Sequence, residues 1–111
     1  MTDEPLTSAL AALDQCESAV RRLHKMCCEP DRSPRLAGIE SELAEARSSL
    51  LGVPADSSLE DVLLTLTAIG SQVGTLQVEC CAPARMPLYA ETLENLTATQ
   101  WSINQQLGRG H

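Results

Sequence analysis

The stretch that decides the fold is SSLEDVLLTLTAIGSQVGTLQVEC, residues 57–80. Within it Leu59, Val62, Leu66, Ile69, Val73, Leu76 and Cys80 recur at alternating spacings of three and four residues. That is the a/d repeat of a helix burying one narrow apolar stripe, whereas a strand would alternate every second residue. Ser57 and Glu60 stand at capping-box spacing, in which each side chain satisfies a backbone N–H that the first helical turn leaves free. These signals predict a helix over about 58–81. Gly70 and Gly74 are its weak points, since glycine inside a helix costs about 1 kcal/mol against alanine. They would either break the helix or let a neighbouring backbone come close.

The same alternation extends in both directions along the chain. Leu6, Ala9, Leu13, Cys16, Val20, Leu23 and Cys27 predict a first helix over about 4–28, with Pro5 tolerated in the opening turn. Ser33 as N-cap and Pro34 as first helical residue open a second over about 34–51. Its seam is Leu36, Ile39, Leu43, Ala46 and Leu50, and Gly52 and Pro54 end it. A fourth, over about 87–107, carries Tyr89, Leu93, Leu96, Gln100, Ile103 and Leu107, and residues 108–111 form a frayed tail. Connections of about six residues favour antiparallel neighbours. The expected fold is a single all-α domain of three to four antiparallel helices with coiled-coil-like packing.

Composition agrees with slender helices. The 111 residues include no Phe, one Tyr and one Trp, so a core must come from Leu, Ala, Val, Ile and Cys. The formal net charge of −7 argues against nucleic acid, which calls for a clustered excess of Lys and Arg. Arg21, Arg22, Lys25, Arg32 and Arg35 form a partial basic cluster. It reads as cations offsetting a helix C-terminus, or as a docking site for an acidic partner. No segment reaches the ~18 apolar residues of a membrane span. The acidic opening MTDEPLTSAL does not resemble a basic secretion signal. The expected setting is therefore the cytoplasm, with reduced thiols.

Five cysteines include two adjacent pairs, Cys27–Cys28 and Cys80–Cys81. Cys16, Cys27 and Cys80 fall on seam positions and read first as small buried hydrophobes. With His24 one turn before the first pair, Cys27, Cys28, Cys80 and Cys81 are also candidates for a metal or redox site at one end of a bundle. Their adjacency speaks against zinc, whose structural ligands are usually spaced by two to four residues. No nucleophile elbow, phosphate loop, dinucleotide-binding glycine pattern or zinc-protease helix motif is present. No catalytic residue and no cofactor are expected.

The expected role is a non-enzymatic structural or adaptor subunit, binding other helical subunits or its own copy through its seams. Leu13, Val20, Leu66, Val73, Leu96, Gln100 and Trp101 are the expected interface residues: five seam apolar groups, a polar seam residue that could set register, and a Trp beside it. The alternative is a self-contained small bundle with a cysteine-based site. The stretches VPADSSLEDVLL (53–64) and SQVGTL (71–76), followed by a proline-containing break and a Leu- and Gln-rich last helix, resemble the small p24-type shoulder subunit of dynactin over about residues 53–107. That resemblance implies a cytoplasmic, non-enzymatic structural subunit associated with a cytoskeletal motor complex.

Overall fold

The computed structural model describes residues 4–26, 32–51, 55–79 and 83–108, without the side chains of residues 4, 5, 32 and 33. It consists of four helices: α1 (Glu4–Met26), α2 (Arg32–Leu50), α3 (Asp56–Glu79) and α4 (Met86–Gln106), the last preceded by a 3-10 turn at Pro83–Arg85. No strand occurs among the described residues. Ser33 and Pro34 lie in the first turn of α2. The Leu59 amide bonds the Ala55 carbonyl at 3.1 Å, so α3 opens with Ala55 at its cap and carries Ser57 inside the first turn. The predicted starts are thus about two residues late, a difference that leaves the seams untouched.

The helices pack as a ring in which α1 contacts α2 and α4, and α3 contacts α2 and α4. Side-chain bonds fix the directions. Arg35 reaches Glu79 at 3.0 Å and Gln72 reaches Glu42 at 3.4 Å, so α3 retreats by seven residues as α2 advances by seven. Likewise His24 pairs with Glu40 while Arg47 pairs with Glu17, which sets α1 against α2. Arg85 at the head of α4 meets the Met26 carbonyl at the end of α1. Ring neighbours are therefore antiparallel. A 24-residue helix spans about 36 Å, which accounts for most of the longest dimension of the 43 × 23 × 18 Å body.

The predicted stripes of α1, α2 and α3 are the buried ones, from Leu6 to Leu23, Leu36 to Leu50 and Leu59 to Leu76. α3 runs unbroken through both glycines. A Cβ built on Gly70 would lie 4.0 Å from Leu96 Cδ1 and one on Gly74 would meet nothing within 4 Å, so neither glycine is required by close helix packing.

The seam of α4 departs from expectation. Its buried residues are Tyr89, Thr92, Leu96, Thr99, Ser102 and Ile103, while Leu93, Gln100 and Leu107 are only half-buried. The cause lies in α1, which makes its most extensive contact with α4. Ala19 is fully buried and lies one turn before Arg22, which reaches Glu91 of α4 at 3.9 Å. Small residues there let α4 turn toward α1. Burying threonines is tolerated because Thr92 Oγ1 donates to the Leu88 carbonyl and Thr99 Oγ1 to the Asn95 carbonyl, each at 2.7 Å.

Truncating the fully buried Leu66 to Ala should cost about 2–5 kcal/mol of unfolding free energy in urea. The same change at Leu64, two residues earlier and 70 % exposed, should stay within about 0.5 kcal/mol. Equal losses at both positions would mean that this register of α3 is wrong.

Candidate functional site

Ion pairs and buried polar groups concentrate on the α1–α2 side and at the α1–α4 junction. Arg47 Nε donates to Glu17 Oε1 at 2.7 Å, and its Nη2 also engages Asp14. Burial raises the Glu17 carboxyl above its ordinary range, and the Arg21 cation one turn on opposes that shift. Arg85 is only 8 % exposed and donates from Nη2 to the Met26 carbonyl at 3.0 Å. It thereby satisfies a carbonyl that the end of α1 leaves free and sets a cation at the negative end of that helix. Nothing in the local sequence around PARMP announces this role, because it depends on two segments 59 residues apart.

Cys16 sits wholly inside the α1–α4 contact, with its Sγ–H directed at the Thr92 carbonyl at 3.6 Å. Burial, assisted by the nearby Glu17 and Glu91 charges, pushes its thiol from 9.0 up to about 12. At neutral pH this is a protonated packing group, not a nucleophile.

The candidate metal ligands Cys27, Cys28, Cys80 and Cys81 lie outside the described residues. His24, the fifth candidate, is held by α2: its Nδ1 lies 2.5 Å from Glu40 Oε2, beside a cleft of about 350 Å3 lined by Arg21, His24, Lys25 and Glu40. Among the described residues no group of three or more His, Cys, Asp and Glu could hold a metal ion. No helix of the described residues is long and apolar enough to cross a membrane.

The expected interface residues divide sharply. Leu13, Val20, Leu66, Val73 and Leu96 are buried in the chain's own core. The seams expected to receive partner helices pack against one another within this chain. Gln100 is half-buried beside the α3–α4 groove, where its Nε2 donates to Thr67 Oγ1 at 3.0 Å. Trp101, one residue on, is 62 % exposed.

Trp101 belongs to a surface that the seam analysis did not isolate. A step of about 100° beyond Gln100 turns it outward from the α3–α4 layer. On α3, Leu64, Ser71 and Val78 repeat every seven residues on the helix side away from the core, and all three are exposed. Val62–Val78 and Asn95–Gly108 contain no ionisable residue at all. The signal was present in the sequence as two uncharged runs, but their adjacency depends on the antiparallel pairing of α3 with α4. The chain matches no protein family, no curated protein and no solved structure.

The buried thiol generates a test. A folded pKa above the ordinary 9.0 means that the native state holds this proton more tightly. That stabilisation is complete below pH 9.0 and is lost as pH rises from there toward about 12. Over that range the wild type should lose urea stability relative to Cys16→Ala. At neutral pH, alkylation of Cys16 followed by peptide mass mapping should require unfolding; rapid labelling of the native chain at this site would contradict its burial.

Proposed function

We propose that this chain is a non-enzymatic helical adaptor that receives protein partners on the outer α3–α4 face. The observation that carries this reading is Trp101, 62 % exposed beside the stretches 62–78 and 95–108, which hold no ionisable residue in a chain of net charge −7. Exposed large apolar groups are individually unremarkable. Here, however, Leu64 at 70 % and Val78 at 86 % lie on the neighbouring helix of the same layer. Interface centres are depleted of charge and enriched in aromatic anchors, and Trp is over-represented where a single side chain carries much of the binding energy.

In this proposal the buried seams supply rigidity and the outer face supplies recognition. The ion pairs on the α1–α2 side and the excess acidic charge keep the remaining surface hydrated and steer approach. A setting in a cytoplasmic, motor-associated assembly rests on the resemblance of residues 53–107 alone.

A photoreactive residue placed at Thr97, one turn before Trp101, should give discrete adducts with a second polypeptide in cells. The same group at Ala44, exposed on α2, should give none. Trp101→Ala should remove the Thr97 adducts without changing helicity. Equal labelling from the two positions, or none from Thr97, would end this reading.

A further inference from the structure

We propose that the outer α3–α4 face receives a basic amphipathic helix of another protein, laid along the groove between the two helices. Its apolar side covers Leu64 and Trp101, and its Lys or Arg side chains meet Glu60 and Glu94. This names the partner chemistry of the adaptor reading and rests on it.

Charge fixes the sign of the partner. α3 and α4 carry six carboxylates, Asp56, Glu60, Asp61, Glu79, Glu91 and Glu94, and no Lys, Arg or His. Six of the eight Lys and Arg residues of the chain stand on α1 and α2 instead. That layer reaches two of the carboxylates, through Arg35 to Glu79 and Arg22 to Glu91. Glu60 and Glu94 are exposed, and their own layer supplies no cation. A phosphate backbone or an anionic lipid surface is repelled here, and so is a second copy presenting the same face. A cationic partner is drawn in.

Geometry fixes its form. Among the described residues there is no strand, hence no sheet edge for an extended peptide to join. The groove between two packed helices is instead the place where a third helix lays its ridge. The Gln100–Thr67 hydrogen bond sets Trp101 level with the Thr67 turn of α3. Leu64 stands one turn from Thr67, so the two exposed apolar groups flank the groove near one level. Glu60 lies two turns before Thr67 on α3, and Glu94 two turns before Trp101 on α4, about 10 Å in each case. Because the helices are antiparallel, the two carboxylates fall on opposite sides of Trp101, about 20 Å apart along the bundle.

Small residues, Gly70, Ser71 and Gly74 of α3 and Thr97 of α4, line the stretch between Trp101 and Glu94. A Cβ built on Gly74 meets nothing within 4 Å, so a partner can come close there. The adjoining hollow of about 510 Å3 is lined by Ser71, Gly74, Thr75, Gln77, Val78 and Glu79. Apolar at Val78 and acidic at Glu79, it suits the stem and head of a Lys or Arg. The partner helix thus carries cations about 14 residues apart on one face, with aliphatic residues between them.

The probe is a labelled synthetic helix of about 20 residues, with Leu along one face and Lys at two positions about 14 residues apart on it. Its binding to the reduced 111-residue chain is read by anisotropy and by the emission of the single Trp. Binding is expected, with Trp101 emission moving to the blue and affinity falling several-fold as salt is raised. The same peptide with Glu in place of Lys should not bind. Trp101→Ala and Glu94→Lys should each weaken binding roughly tenfold or more. Both positions are exposed, so both variants should keep the urea stability of the wild type. Glu45→Lys, the same change of charge on exposed α2 surface, should leave affinity within about twofold. Equal losses from Glu94→Lys and Glu45→Lys, or none from Trp101→Ala, would overturn this face as the site. No binding of the Lys peptide, or equal binding of the Glu peptide, would overturn the basic helix as occupant. Thr97 adducts with an acidic segment, or with a second copy of this chain, would also remove the basic helix while leaving Thr97 at a contact. Absence of adducts would end both readings.

Discussion

The contact between α1 and α4 governs the rest of this structure. These helices lie near opposite ends of the described chain, and their pairing closes two antiparallel hairpins into one ring. Small groups make the approach possible: Cys16 and Ala19 on α1 are fully buried, as are Thr92 and Thr99 on α4. Each threonine hydroxyl bonds a carbonyl four residues earlier on its own helix. Those bonds remove the need for a partner across the interface, so two polar side chains can stand where two apolar ones would otherwise be required. The turn of α4 toward α1 has a consequence on its other side. It lifts Gln100 to the rim of the α3–α4 groove and faces Trp101 away from the core.

Charge is segregated along with packing. Ion pairs of Arg47 with Asp14 and Glu17 and the His24–Glu40 hydrogen bond join α1 to α2, and Arg35 ties α2 to the end of α3. Exposed pairs of this kind contribute about 0–1 kcal/mol each. Their larger effect is to favour one sliding register between helices whose apolar stripes are mostly Leu, with Val, Ile and Ala between. Between α3 and α4 that office falls to the neutral Gln100–Thr67 bond.

The seams of α1, α2 and α3 were legible from spacing because the residues filling them are apolar and the intervening ones are not. In α4 the same reasoning chose Leu93 and Gln100 over Thr92 and Thr99, since a polarity pattern cannot anticipate a hydroxyl satisfied by its own helix. Arg85 was illegible for another reason: a cap donated by the head of α4 to the end of α1 is a property of two segments, not of one. The expectation that Leu13 or Leu66 would hold a partner followed from treating each narrow stripe separately. Four such stripes facing one axis satisfy one another, and the ring neighbours supply what each helix lacked.

A bundle with closed seams has little use for what its helices carry outward. Replacing an exposed side chain removes few packed contacts, so the fold itself places weak demands on positions such as 64, 78 and 101. Charged residues there would raise solubility at almost no cost to the core. The α1–α2 surface uses them freely, whereas two long stretches on α3 and α4 contain none. Stability therefore does not account for a lone Trp with an exposed Leu64 and Val78 on the sparsely charged side of an acidic protein. The proposed recognition role does, because burying those groups against another chain would recover apolar area that this fold leaves in water.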